Sequence, residues 1–137
     1  MLPNLIVSGL QSSLFWEDKN ANMAMFSEKI ASLPASHIIV LPEMFTTGFT
    51  MQPKPLAEPM QGQTHIWLQQ QAAKKKAIIT GTVIIEEHNK YYNRLLWVLP
   101  TGETGIYDKK HLFAFAGENK AYSAGNKRSI ATVGGWR

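Results

Sequence analysis

Three ionisable side chains at separate points of the sequence are candidates for chemistry: Glu43, Lys109 and Glu118. Glu43 follows the apolar run "HIIVLP", Lys109 lies in "YDKKHLF", and Glu118 lies in the polar segment after it. A carboxylate can accept and return a proton, and an ammonium group can stabilise negative charge that develops in a transition state. These residue types indicate proton transfer beside a charge-stabilising group, although their spacing equally allows a structural ion pair.

The segment "YDKKHLF" contains two adjacent lysines, and strand alternation decides which of them points inward. Alternation places Tyr107, Lys109 and His111 on one face and Asp108 and Lys110 on the other. Lys109 therefore shares its face with aromatic residues. A buried ammonium group needs a carboxylate partner, because an unpaired one is strongly destabilising or loses its proton. We expect Lys109 to point into the protein and Lys110 to be solvated.

The first elements that must position these residues form a βαβ unit. Apolar, β-branched runs predict strands at 4–11 and 37–42, both buried, and steps of three and four predict a helix from about Asp18 or Asn20 to a point before Pro34. The two strands should pair in parallel after the helical crossover. Glu43 then lies at the carboxyl end of the second strand, where open α/β sheets bind ligands.

The rest of the chain predicts a meander. A helix at 64–76 precedes three strand patterns at 77–87, 91–100 and 106–113. After a polar loop, residues 128–133 predict one more strand, followed by a Gly134–Gly135 turn into a returning strand. The fold class is therefore α/β: one domain over residues 1–137, with a mixed β-sheet and helices on one face. Nothing in the remaining sequence is expected to cover the other face.

Composition and spacing exclude several function classes. The 137 residues contain no cysteine, which excludes disulfides, thiolate metal sites and a cysteine nucleophile within them. The four histidines lack metal-site spacing, no glycine-rich phosphate loop opens a helix, and no serine lies in a nucleophile motif. We therefore expect no metal and no cofactor. No membrane span or signal peptide is indicated, so we expect a cytoplasmic protein.

The net charge of +4 leaves one alternative from a different class, a non-catalytic basic module that binds nucleic acid or another acidic partner. Its densest basic cluster is Lys74 to Lys76, at the end of a predicted helix. Cations favour the negative end of the helix dipole, which is sufficient reason for their presence there. We therefore expect no tight binding of nucleic acid.

Three motifs in this order, "LPEMFTTGF", "YDKKHLF" and "YSAGN", resemble the nitrilase superfamily of carbon–nitrogen hydrolases, and most closely its omega-amidase branch. The resemblance covers essentially the whole chain and implies the first half of a nitrilase-like αββα sandwich. It implies that Glu43 is the general base, that Lys109 stabilises the tetrahedral intermediate, and that Glu118 positions the lysine and the substrate. It further implies a small-molecule amide substrate, no cofactor, no nucleic acid, no membrane, and a homodimer when full length.

The nucleophile of that family is a cysteine on the strand after a "GWR"-like turn, and this sequence ends at Trp136 and Arg137. We therefore expect the chain to be the N-terminal part of one carbon–nitrogen hydrolase domain, inactive alone and prone to associate through open sheet edges. The resemblance favours ω-amides of 2-oxoglutarate and 2-oxosuccinate as substrates. Carbamoylases, aliphatic amidases and nitrilases share the same framework and remain alternatives.

Overall fold

The computed structural model describes all residues, 1–137, and its centre is a five-stranded sheet with the strands in sequence order. The strands are β1 (Val7–Gly9), β2 (Ile38–Val40), β3 (Ile78–Glu87), β4 (Lys90–Val98) and β5 (Thr104–Asp108). The helices are α1 (Lys19–Ser32), α2 (Gln63–Lys75) and the short α3 (Glu118–Ala121), which follows a 3₁₀ turn at Ala114–Ala116. Strands β1 to β3 pair in parallel and β3 to β5 pair antiparallel, so the sheet is mixed, as predicted.

Local sequence explains where the two long helices begin and end. The Asp18 side chain accepts a hydrogen bond of 2.9 Å from the Ala21 amide and caps the start of α1, which ends before Pro34. At the end of α2, the Lys75 ammonium donates to the Leu33 carbonyl oxygen at 2.8 Å. Lys75 therefore joins the ends of the two helices, which gives one member of the lysine run a structural role.

The hydrophobic core lies between the two long helices and one face of the sheet. Strand residues at alternate positions, such as Ile79 and Val83, point towards the helices, whose apolar stripes point back. The core comprises thirteen buried residues: Phe26, Ile30, Ile39, Leu41, Phe45, Leu68, Ala72, Ala77, Ile79, Val83, Ile85, Leu96 and Val98. Both helices thus cover the same face, as predicted.

The opposite face of the sheet carries apolar side chains that are less completely buried, including Val40, Leu95 and Trp97. The segment Ser129 to Thr132 borders this face beside β4 and β5, and together they line a groove of about 650 Å³. The Ser129 hydroxyl donates to the Ile106 carbonyl oxygen. The expectation that nothing later in the chain would cover this face is wrong for the part around Ile84, which is buried in one cluster with Tyr122 and packed against by Leu112.

Two strand predictions are also wrong. β1 is an edge strand and not a buried one, because only β2 pairs with it, and Val7 is 52% exposed. Residues 128–133 form no strand, because their backbone pairs with no neighbouring strand; the only bridge there joins Val133 to Trp136. That bridge does reverse the chain at Gly134 and Gly135, where the turn was predicted.

Arg94 on β4 is the most deeply buried charged residue of the sheet, and the stability of the protein should depend on its ion pairs. Arg94 on β4 pairs with both carboxylate oxygens of Asp108 at 2.6 and 2.9 Å, and with Glu87 at 2.7 Å. These hydrogen bonds, chiefly those to Asp108, raise the pKa of Arg94 above its ordinary value. Asp108→Ala leaves the buried guanidinium short of a partner, so we expect the free energy of unfolding to fall by about 3–5 kcal/mol. Urea unfolding measures the change.

Glu87→Ala is the matched control, because the Glu87 side chain is 44% exposed and removing an exposed ion-pair partner costs about 1 kcal/mol or less. Equal losses for the two variants would contradict this assignment of Asp108 as the main partner.

Candidate active site

Glu43 is held at the end of β2 by a turn that stays attached to β3. The Leu41 amide donates to the Thr80 carbonyl oxygen at 2.7 Å, and the Met44 amide donates to the Thr82 hydroxyl at 2.7 Å. Met44 has a φ of 45°, a left-handed conformation that is uncommon for a non-glycine residue. This turn projects the Glu43 side chain, 45% exposed, at the carboxyl end of the parallel strands.

Lys109 directly follows β5 and is fixed by one further step of strand pairing. Its amide donates to the Asn93 carbonyl oxygen at 3.0 Å. Its Nζ lies 2.9 Å from Glu43 Oε1, 2.9 Å from Glu118 Oε2, and 5.3 Å from the centre of the Phe49 ring. Because the ring face is negative, Phe49 adds a cation–π contact. One ammonium group therefore joins two carboxylates.

The alternation within "YDKKHLF" holds as far as Lys109 and Lys110. Lys109 points towards the two carboxylates and Lys110 is exposed, as predicted. Beyond them the predicted strand does not continue, because the Tyr91 carbonyl oxygen, its next possible partner on β4, accepts from the Ser123 amide instead. Leu112 consequently packs beside Tyr122 rather than on the face opposite Lys109.

Glu118 is the first residue of α3 and is fully buried, with 0% exposure. Its Oε2 accepts from the Phe113 amide at 2.6 Å as well as from Lys109, and its Oε1 accepts from Asn93 Nδ2 at 3.1 Å. A buried carboxylate is tolerated when its lone pairs are satisfied in this way. Glu118 is thus a fixed negative charge behind Lys109.

Asn93 is the member of the site that sequence reasoning missed. It lies on β4 opposite Ile84, is 1% exposed, and donates from Nδ2 to Glu43 Oε1 at 2.7 Å in addition to Glu118. The available sign was an asparagine inside the apolar strand "YYNRLLWV", where asparagine is depleted. Glu43, Asn93, Lys109 and Glu118 together are called the site cluster below.

Opposing effects set the proton affinities within the site cluster. Burial acts to raise the pKa of Glu118, but hydrogen bonds from the Phe113 amide, Lys109 and Asn93 outweigh it, so the pKa lies below the ordinary value. Burial acts to lower the pKa of Lys109, but hydrogen bonds and attraction from Glu43 and Glu118 outweigh it and raise the pKa. Glu118 and Lys109 therefore stay charged across neutral pH.

Glu118 should make the stability of the protein depend on pH in the acid range. Because the folded pKa of Glu118 is depressed, its contribution is present above the ordinary value of 4.5 and is lost as pH falls through the folded pKa. Glu118→Gln removes that contribution. The difference in thermal unfolding midpoint between the unmodified protein and Glu118→Gln should therefore be largest near neutral pH and shrink below 4.5. A difference that stays constant down to the acid limit would contradict the stabilised charge.

The site cluster offers two chemical capacities at one partly exposed position. Glu43 has a carboxylate that solvent can reach, and the Lys109 ammonium beside it can stabilise a developing negative charge.

No group of three or more His, Asp or Glu side chains is arranged to hold a metal ion. No helix has the length and apolar character needed to cross a membrane.

Comparison with curated proteins extends these observations. The family model for carbon–nitrogen hydrolases matches residues 7–134. Omega-amidase YafV of Escherichia coli K12 is 38% identical over 136 residues, which are 99% of this chain and 53% of that protein. Omega-amidase YafV of Yersinia enterocolitica is 40% identical over 130 residues, 93% of this chain and 50% of that protein. The chain therefore spans about half the length of the curated relatives that it matches.

Solved structures agree with the predicted fold. XC1258 from Xanthomonas campestris, described as a CN-hydrolase superfamily protein, is 37% identical with a TM-score of 0.92, and the match covers 98% of this chain and 51% of that one. Nit3 of Saccharomyces cerevisiae, described as a nitrilase superfamily member, is 25% identical with a TM-score of 0.76 and coverages of 91% and 50%. The nitrilase-like fold is confirmed, and the chain belongs to the carbon–nitrogen hydrolase family of the nitrilase superfamily.

Proposed function

We propose that the full-length protein containing these residues is an omega-amidase, which releases ammonia from the ω-amides of 2-oxo dicarboxylic acids. The observation that carries the proposal is the placement of the Lys109 ammonium 2.9 Å from both Glu43 and Glu118, with Glu43 open to solvent. The similarity to two proteins named omega-amidase supports the substrate class. The nucleophile is a cysteine supplied by sequence beyond Arg137.

In the first half-reaction Glu43 takes the thiol proton as the sulfur attacks the amide carbon. The C=O electron pair moves onto oxygen, and Lys109 stabilises the resulting oxyanion. When the intermediate collapses, the C–N bond breaks and Glu43 gives its proton to the departing nitrogen. The products of this half are ammonia and a thioester. Glu118 is fully buried, so it keeps Lys109 charged and aligned and acts on the substrate only through Lys109.

In the second half-reaction Glu43 takes a proton from water, and the water oxygen adds to the thioester carbon. Lys109 stabilises the second oxyanion in the same position. The C–S bond then breaks, and the proton held by Glu43 returns to the sulfur, which restores the thiol and releases the carboxylic acid. The sum is one amide and one water converted to one acid and one ammonia, with no electron transfer and no cofactor.

The proposal is tested by ammonia release from a panel of amides with the full-length protein. We expect kcat/KM to be highest for 2-oxoglutaramate and 2-oxosuccinamate, and lower for propionamide and an N-carbamoyl amino acid. A clear preference for propionamide or the N-carbamoyl compound would keep the reaction class and replace the substrate class. Hydrolysis of none of them would overturn the proposed function.

A further inference from the structure

Asn93 occupies the centre of the site cluster and uses both of its donor hydrogens on carboxylates. Its Nδ2 lies 2.7 Å from Glu43 Oε1 and 3.1 Å from Glu118 Oε1. A side-chain amide has two donor hydrogens, so these two bonds exhaust its donor capacity. Its position in the middle of β4 and its 1% exposure leave it little freedom to move. Asn93 therefore ties the exposed carboxylate to the buried one.

The hydrogen bonds divide the two oxygens of Glu43 into different chemical environments. Oε1 accepts from both Asn93 and Lys109, at 2.7 and 2.9 Å. No protein group donates to Oε2, and the Glu43 side chain is 45% exposed. An oxygen that already accepts two hydrogen bonds, one of them from a cation, is a poorer proton acceptor than its unbonded neighbour. The two oxygens are thus inequivalent before any substrate binds.

We infer that Asn93 is a positioning residue that holds Glu43 by Oε1 and so makes Oε2 the oxygen that accepts and returns the proton. This inference rests on the proposed function. A glutamate at the surface has three rotatable side-chain bonds and would otherwise sample several rotamers. Two donors fixed on one oxygen leave essentially one orientation, which supplies the preorganisation that a general base needs.

Lys109 alone cannot provide this orientation. Its ammonium is a point charge on a flexible stem, and it must also face the developing oxyanion. Asn93 instead donates from a rigid strand in a fixed direction, and it carries no charge. An aspartate at this position would place a third carboxylate against two others and repel both of them. A leucine would have similar volume and no donor.

The test uses Asn93→Leu and Asn93→Asp in the full-length protein, with Asn119→Leu and Asn119→Asp as matched controls. Asn119 follows Glu118 in the sequence and is exposed, and it lies outside the site cluster. For Asn93→Leu we expect kcat to fall about 10- to 100-fold, since a misplacement of about 1 Å has an effect of that size. KM should change by less than about threefold, because the misplacement affects the proton transfer rather than binding. Asn93→Asp should lose more, and the Asn119 variants should match the unmodified protein.

A double substitution separates positioning from a general loss of structure. If Asn93 acts through Glu43, then Asn93→Leu should lower the residual rate little further in a Glu43→Gln background. A normal kcat for Asn93→Leu, a rise in KM without a fall in kcat, or additive losses in the double variant would overturn the inference. If Asn93→Leu does not fold, the smaller Asn93→Ala, which also removes the donor and adds no charge, decides by the same split of kcat from KM. Absence of turnover in the unmodified protein would count against the proposed function instead.

Discussion

Glu43→Gln and Lys109→Met are each expected to lower kcat of the full-length protein by at least about 10²-fold while the fold is retained. Glu43→Gln keeps the shape of the side chain and removes the only carboxylate of the site cluster that solvent reaches freely. Lys109→Met keeps most of the volume and removes the charge that faces the oxyanion. Steady-state ammonia release measures the rates, and circular dichroism verifies the fold.

Lys110→Met is the control for Lys109→Met, because it makes the same chemical change at the next residue. Lys110 is exposed and makes no ion pair, so its loss should change kcat by less than about twofold. A requirement for Lys110 together with tolerance of Lys109→Met would contradict the orientation of both side chains. If Lys109→Met does not fold, Lys109→Arg takes its place in the test. Arginine retains the positive charge but not the geometry of the ammonium group, so this variant should fold and remain slow.

Lys109→Met and Glu118→Gln should lower activity for different reasons. The first removes the charge that faces the oxyanion, whereas the second removes a partner that holds that charge in place. Glu118 is fully buried and bonds the Phe113 amide, so its substitution disturbs the start of α3 as well as Lys109. In Glu118→Gln, Lys109 keeps Glu43 as its one remaining carboxylate partner. We therefore attribute to Glu118 a role in holding Lys109. Its Oε2 accepts from the Lys109 ammonium, and its Oε1 accepts from Asn93.

The placement of Glu43 and Lys109 could be predicted from the sequence because short-range rules govern both positions. Glu43 lies where a buried strand ends, and Lys109 lies within the reach of strand alternation. The residue at which β5 ends and the irregular backbone of residues 128–133 could not be predicted in this way, because both depend on partners that are distant in the sequence. β5 stops because Ser123 takes the Tyr91 carbonyl oxygen, and residues 128–133 stay irregular because no strand pairs with them. No local pattern contains that information.

Asn93 illustrates the same limit within the site cluster. Its own segment shows an asparagine between a tyrosine and an arginine, and nothing there names its partners. Glu43 is fifty residues before it in the chain and Glu118 is twenty-five residues after it. The geometry that brings them together is the pairing of β4 with β3 and β5, which places Asn93 beside the ends of β2 and β5 at once. A polar residue in an apolar strand indicates that a partner is needed, but not which partner.

The largest effect is expected from the nucleophile that the proposed function requires, a cysteine that we expect in a strand after Arg137. Replacing that cysteine by alanine should lower the rate of ammonia release by at least about 10⁴-fold, and the 137-residue chain should be equally slow. Glu43 and Lys109 can move a proton and stabilise an oxyanion, but neither is a suitable acyl carrier. The test reads the downstream codons and compares the two proteins on 2-oxoglutaramate.

The course of the chain after the site cluster supports this position for the nucleophile. The Ser123 amide bonds the Tyr91 carbonyl oxygen and the Gly125 amide bonds that of Lys109, so the chain there lies beside the site cluster. Ile130 to Thr132 then line the same groove as Leu99, which follows the end of β4 that is far from the site cluster.

The bridge between Val133 and Trp136 reverses the chain at that far end, so an extended segment after Arg137 would run back towards Glu43 and Lys109. A strand of about five to eight residues, at about 3.3 Å each, is long enough to run back along β4 from Val98 to Asn93. A thiol on that strand would meet its base and its oxyanion partner together. A downstream strand without a cysteine, or ammonia release by the 137-residue chain at the full-length rate, would require a different acyl carrier and a different reaction.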